Sequence, residues 1–269
     1  MSDILSKFSL KDKVALVTGG AGLLGREFSL TLAQAGAKVY IADLNEKVAV
    51  QTAGEIPSAV GIRLDVTDPD SVNKVVEQII QESSRLDILV NSAALDPKFD
   101  PANMVTASNA FENYPLDSWQ SALNVNLTGP FLVSQAVASQ MVKQKKGSII
   151  NICSTYGLGG PDQRIYEKPG QPPVFKPVYY TVTKAGILGL TKYLATYYAG
   201  TDIRINALTP GGVFNDHDDT FVKNYSARTV MGRMAHKDEM NGALLFLASD
   251  ASSYMTGGNV VVDGGWTAW

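Results

Sequence analysis

The stretch from Lys13 to Asp43 reads KVALVTGGAGLLGREFSLTLAQAGAKVYIAD. Two short apolar runs, Lys13 to Val17 and Lys38 to Ala42, flank a segment with helical spacing from Arg26 to Gln34. An unbroken apolar run is what a strand buried on both faces needs, and Gly36 stops the helix between the two runs. A glycine-rich turn, Thr18 to Gly25, joins the first run to the helix. Strand, turn, helix and strand make one βαβ unit, whose right-handed crossover lays the two strands side by side and parallel.

The alternation continues outward from there. Val60 to Leu64 reads as a third strand, with Asp65 and Val66 just beyond it. Thr67-Asp68-Pro69-Asp70 is a helix start, an oxygen-bearing cap and then proline in the first turn; Val72, Val75, Val76, Ile79 and Ile80 follow on one face. Leu86 to Val90, Ser148 to Ile152, Ile203 to Leu208 and Asn259 to Val262 read as further strands, and Trp119 to Met141, Tyr180 to Tyr198 and Asp238 to Leu247 as helices. The pattern predicts an α/β chain with a doubly wound parallel sheet of about seven strands and helices on both faces. No linker or repeat interrupts it, so residues 1–269 are expected to form a single domain. The irregular stretches near 95–117, 157–179 and 212–235 are long for a compact domain, where such loops are usually functional.

Composition narrows the function. Hydrophobic residues make up 45% and charged residues 18% of the 269, so the chain can bury a core. Twenty-three basic against 26 acidic residues give a net charge of −3, which argues against a nucleic-acid partner. One cysteine, Cys153, and two histidines cannot build a structural zinc site, and the lone thiol suits a reducing compartment. No run of apolar residues is long enough to span a membrane, and MSDILSKFSLKDK carries charges where a signal peptide is apolar. A cytoplasmic location with no membrane partner is the expectation.

The Thr18–Gly25 turn, TGGAGLLG, has the context of a dinucleotide site. Gly19, Gly22 and Gly25 let a backbone approach a pyrophosphate at a helix N-terminus, which places Leu23 and Leu24 at the cofactor. A tight turn needing glycine for its backbone angles is the plainer alternative. Asp43 ends the second strand, where a carboxylate accepts from ribose hydroxyls and repels a 2′-phosphate; this predicts NAD(H) over NADP(H). Asp65 and Val66 are expected near the adenine, and Asn91 and Ala93, in NSAA, along the end of the fourth strand.

Tyr180 and Lys184, in YTVTK, stand at i and i+4 and so share a helix face, whereas Tyr179 is offset. A nearby ammonium favours a phenolate, so the pair can exchange a proton with a substrate oxygen. Ser154, in INICSTYG, ends the fifth strand at the carboxyl edge of the sheet, where its hydroxyl can hold that oxygen. Asn126, in NVNLTG, sits mid-helix, where asparagine is a mediocre helix former.

Taken in order, TGxxGxxG, Asp65-Val66, NSAA, VNLTG, INICS, YTVTK, TPGGV and VVVDGGW cover the chain from residue 18 onward. The set resembles the short-chain dehydrogenase/reductase family, in its single-domain Rossmann-type branch. The resemblance implies a catalytic tetrad of Asn126, Ser154, Tyr180 and Lys184, with Asn126 holding a water, Ser154 orienting the carbonyl or alcohol, Tyr180 as acid–base and Lys184 also binding the nicotinamide ribose. It implies that Pro210, Gly211 and Val213 lie along the nicotinamide. Gly22 in place of a glycine at 23 is the spacing of the extended branch, NSAA replaces NNAG, and Asn215 stands where threonine is usual. The stretch between Ser154 and Tyr180 is longer than usual; its piece GPDQRIYEKPGQPPVFKP is polar and proline-rich. The function implied is hydride transfer between NAD(H) and a secondary alcohol or ketone on a polar, sugar-like small molecule. A 3-oxoacyl carrier-protein reductase and a catalytically silent dinucleotide-binding regulator are the alternatives. On the helix after Tyr180, Gly186 and Gly189 lie near the outer side with Leu190, Tyr193, Leu194 and Tyr197 beyond, which predicts a homotetramer or homodimer.

Overall fold

Seven parallel strands form one sheet in the order β3-β2-β1-β4-β5-β6-β7. The computed structural model describes residues 3–96, 109–168 and 170–269. The strands are β1 (Val14–Thr18), β2 (Lys38–Asp43), β3 (Ala59–Arg63), β4 (Ile88–Asn91), β5 (Lys146–Ile152), β6 (Asp202–Pro210) and β7 (Asn259–Val262). The helices are α1 (Leu23–Gln34), α2 (Glu46–Gly54), α3 (Pro69–Ser83), α4 (Leu116–Leu123), α5 (Gly129–Gln144), α6 (Val178–Tyr197), α7 (Asp219–Ser226) and α8 (Asn241–Ala248).

Every residue of β1 is buried, because its alternate side chains feed two separate cores. Ala15 and Val17 meet Phe28 and Leu32 of α1, Ala49 of α2 and Leu244 of α8 on one face. Leu16 meets Val72 and Ile79 of α3, Val133 and Val137 of α5 and Ala195 of α6 on the other. Consecutive strands therefore need helices on both sides, which is the doubly wound arrangement. Among the described residues, no helix is long and apolar enough to cross a membrane.

Three elements differ from the sequence expectation. Helix α2 follows β2 directly, started by Asn45, whose side chain accepts from the Val48 N–H. Helix α7 lies inside the expected 212–235 loop, capped by Asp218. The helix expected over Trp119 to Met141 starts at Leu116 and runs to Gln144, but a π-helical turn, Asn124–Thr128, divides it.

Candidate active site

The site is assembled where strand order reverses. Strand β1 has β2 on one side and β4 on the other, and the crevice at their carboxyl ends is where open parallel sheets bind ligands. Thr18, Asp43, Asn91 and Pro210 are the last residues of their strands, and Asp65 and Ser154 follow β3 and β5 by two residues.

The three glycines have three different jobs. Gly19 takes a φ of +60°, and a Cβ there would lie 2.7 Å from the Ala93 Cα. A Cβ on Gly25 would lie 2.1 Å from the Gly19 carbonyl oxygen, so α1 can approach the turn only over glycine. A Cβ on Gly22 would meet only that oxygen, at 3.2 Å, so this corner is open. Gly22 is the N-cap of α1 and supplies no side-chain cap, which leaves the first-turn amides of Leu23 and Leu24 available to an anion. The Thr18 hydroxyl accepts from Ser92 and Ala93 N–H at 3.1 and 3.2 Å and ties the turn to the end of β4. An uncapped helix start over a glycine turn fits a dinucleotide pyrophosphate.

Around this cradle, Asp43 accepts from the Asn45 N–H at 3.2 Å, and the next residue, Leu44, is exposed. Arg26 pairs with Glu55, away from the turn. Arg63 is the register partner of Asp43 on β3. Asp65 accepts from the Thr67 N–H and hydroxyl, which hold its carboxyl below the usual range. Val66 is buried against Gly129, at the head of α5. Asn91, expected along the cofactor, turns its buried side chain inward, and its Nδ2 donates to Ser134 at 3.0 Å and Asn151 at 2.8 Å. Past β6, Gly211 N–H donates to Val262, Val213 bridges to Ala235, and Tyr225 Oη accepts from Gly212 N–H.

The four residues of the expected tetrad converge on the start of α6. The Ser154 hydroxyl, which accepts from the Tyr156 N–H at 3.2 Å, is near enough to the Tyr180 phenol to favour its ionised form. Lys184 is buried, and its Nζ donates to the Ile152 carbonyl at 2.8 Å while lying 5.8 Å from the centroid of the Tyr180 ring. Asn126 sits in the π turn; its Oδ1 accepts from the Leu95 N–H at 2.7 Å and its Nδ2 donates to the Leu95 carbonyl at 3.0 Å. Asn126 thus clamps the chain leaving β4. Tyr179 is turned away, buried against Tyr114.

One electrostatic expectation is corrected. An ammonium at i+4 was expected to lower the tyrosine pKa, but burial first and the Asp96 carboxylate second hold the Tyr180 phenol well above its ordinary value. Burial likewise pushes the Lys184 ammonium below its own. Tyr180 therefore keeps its proton at neutral pH.

The long segment before α6 is anchored over the site. Tyr156 and Tyr166 are buried together, joined by a 3.1 Å bond between their hydroxyls, and Tyr156 packs edge-on against Tyr180 and Trp266. Lys168 pairs with Asp218 and Arg228 with Asp162, which binds this segment to the α7 region. Lys176 pairs with Asp96, and its Nζ lies 4.0 Å from the Tyr180 ring centroid. Beside it, a cavity of about 410 Å³ is lined by Asn109, Phe111, Gln163, Lys176, Thr181 and Val182.

A family model described as enoyl-(acyl carrier protein) reductase matches residues 20–267. A 3-oxoacyl-(acyl-carrier-protein) reductase of Thermotoga maritima is 35% identical over 264 residues, 95% of this chain and 98% of that protein. The chain belongs to the short-chain dehydrogenase/reductase family. As a short-chain dehydrogenase/reductase it is an NAD(P)-dependent oxidoreductase of the alcohol and ketone class. A D-threitol dehydrogenase of Mycolicibacterium smegmatis is 34% identical, covering 97% of this chain and 95% of that one. Among solved structures, a gluconate 5-dehydrogenase of Burkholderia cenocepacia in complex with NADP and tartrate superposes with a TM-score of 0.84 at 31% identity, over 99% and 100% of the two chains.

Lys176 and Asp96 were not singled out in the sequence of this dehydrogenase/reductase. The signal was present: Lys176, Tyr180 and Lys184 repeat at four-residue intervals. Asp96 gave none, because its nearness to Tyr180 depends on how the chain leaves β4.

Proposed function

We propose that this enzyme interconverts a secondary alcohol and a ketone on a polar, sugar-like molecule, using NAD(H). The observation that carries the reading is the Ser154–Tyr180–Lys184 cluster beside the Gly19–Gly25 cradle. Bound dinucleotide supplies or accepts the hydride. Gly19, Gly22, Leu23, Leu24, Asp43, Asp65, Val66, Ala93, Pro210, Gly211 and Val213 surround its place, and Asn91 supports the strand end from within.

The chain's own residues handle the oxygen and its proton. Ser154 fixes the reacting oxygen beside the phenol. Tyr180, half-buried and protonated at neutral pH, donates to a carbonyl oxygen and recovers a proton from an alcohol in the reverse direction. Lys184 offers positive charge to the phenolate that results. Asn126 fixes Leu95 and so the wall between β4 and α6.

Asp43 supports NAD(H), since a 2′-phosphate there meets a carboxylate and Leu44 offers no cation. Tyr193 and Tyr197, 63% and 66% exposed on α6, stack on each other, and Phe131 on α5 is also exposed; this supports a homodimer or homotetramer built on those two helices. The single buried thiol, Cys153, is in keeping with a reducing, cytoplasmic setting.

The Thermotoga relative favours a second reading, reduction of acyl carrier-protein thioesters. That substrate needs a basic rim for an acidic carrier, whereas this chain has a net charge of −3. A panel of polyols, sugars, sugar acids and an acetoacetyl thioester, followed at the nicotinamide absorbance, tests both. Turnover of a polyhydroxy compound is the expected result, and turnover of the thioester alone overturns it.

A further inference from the structure

Tyr180 lies between two lysines. Lys176 stands four residues before it and Lys184 four after, with Nζ atoms 4.0 and 5.8 Å from the centroid of the same ring. Lys184 is accounted for by the proton chemistry. Lys176 is not, yet the protein goes to some length to place it.

Its backbone is gripped from both sides. Gln163 Oε1 accepts from the Lys176 N–H at 2.9 Å, and Gln163 Nε2 donates to the Lys176 carbonyl at 3.5 Å. Asn109 Nδ2 donates to the Phe175 carbonyl at 3.2 Å, and Pro177 follows as the N-cap of α6. A lysine side chain loses much rotamer freedom when it is fixed, so an anchored lysine needs a compensating interaction. Here the ring face and Asp96 provide it.

The two members of that ion pair are unequal. The Lys176 side chain is 11% exposed, and that of Asp96 is 49% exposed. The cation is the fixed partner, and the carboxylate is the one water can take over at low cost. Asp96 is also the carboxylate felt by both Tyr180 and Lys184. It serves as the counter-ion where two ammonium groups flank one ring.

We propose that Lys176 is the receptor for a carboxylate on the substrate, so that the site takes a hydroxy acid or keto acid in preference to a neutral polyol. The proposal rests on the oxidoreductase reading of the Ser154–Tyr180–Lys184 site. The reacting oxygen meets the phenol at the edge of the ring while the ammonium lies on its face. An acid group one or two carbons from the reacting carbon spans the two. Asp96 holds the place of that group and turns to water when the substrate enters, which conserves charge at Lys176. Exchange of one carboxylate for another involves no bond making or breaking.

The test is calorimetric titration of the enzyme saturated with oxidised coenzyme, using gluconate as the acid probe and sorbitol as its neutral counterpart. The wild-type protein is expected to bind gluconate at least tenfold more tightly than sorbitol. Lys176→Met should abolish that preference, Lys176→Arg should keep most of it, and Asp96→Asn, which removes the internal competitor, should strengthen it. A wild-type protein without the preference overturns the proposal, as does a folded Lys176→Met variant that retains it. Absence of turnover on every alcohol, with the binding preference intact, would instead count against the oxidoreductase reading. The Lys176→Arg and Asp96→Asn arms stand if Lys176→Met fails to fold.

Discussion

Replacing Lys184 by methionine should stabilise the protein while disabling it. The lysine is 5% exposed, its Nζ donates to the Ile152 carbonyl at 2.8 Å, and among the described residues no carboxylate forms a salt bridge with it, Asp96 acting only at a distance. Burying a charge costs several kcal/mol, and a charge-assisted hydrogen bond restores about 1.5–3 kcal/mol of that. Methionine fills similar space without the charge, so a net gain of about 1–2 kcal/mol is expected, or about 2–8 °C in Tm for a chain of this size. The pH dependence separates this cause from better packing. Burial lowers the folded-state pKa of Lys184 below the ordinary value of 10.5, so in that window the unfolded chain binds more protons. Wild-type stability therefore rises with pH from the lowered pKa up to the ordinary one. The variant lacks this slope, and its advantage should be greatest at neutral pH and vanish above about pH 10.5. Turnover should fall at least about 100-fold throughout. Thermal melts of both proteins between pH 6 and 11 make the comparison. A lower Tm in the variant at neutral pH, or a gain that does not change with pH, would refute the reasoning.

Other outcomes follow from the same geometry. Tyr180→Phe should lower kcat by about 10²–10⁴ with coenzyme affinity unchanged, while Tyr179→Phe stays within a few-fold of wild type in steady-state kinetics. Gly25→Ala should destabilise the fold and abolish coenzyme binding measured by fluorescence titration, because its Cβ would lie 2.1 Å from the Gly19 carbonyl oxygen. The kcat/KM with NAD should exceed that with NADP at least about tenfold, or about 1.4 kcal/mol, and Asp43→Ser should narrow the ratio by leaving Arg63 as the charged neighbour. Tyr193→Glu combined with Tyr197→Glu should shift sedimentation toward the 28.8 kDa monomer, since like charges would replace the stacked pair on α6.

Strand positions were legible because a strand buried on both faces is apolar at most positions, as KVALV, KVYIA and SIINI are, with the buried Ser148 and Asn151 of the last satisfied by internal hydrogen bonds. The glycine turn was legible for a similar reason: a close backbone approach excludes every other side chain, so the requirement is written in the residue type. Helix α7 was obscured because it is short and its apolar side, Phe221, Val222 and Tyr225, packs with Tyr156, Tyr166 and Trp266, not with the sheet. The side chain of Asn91 was not legible in the same way: an asparagine at the end of a strand can face a ligand or a neighbouring strand, and its bond to Asn151 depends on how β4 and β5 pair. The tyrosine pKa was misjudged because sequence spacing reports neighbouring charge but not burial.

The π turn at Asn124–Thr128 amounts to one residue inserted into a helix that otherwise runs from Leu116 to Gln144. Each residue rotates a helix by about 100°, so the two halves are out of phase by about that angle. The first half carries Trp119 and Ala122 in one phase and the second carries Val133, Val137 and Met141 in another, with Asn126 at the join, reaching for Leu95. Removing any one residue from the join would give a more regular helix and turn the asparagine from the strand end. The irregularity is thus heritable as a length, not as a residue type.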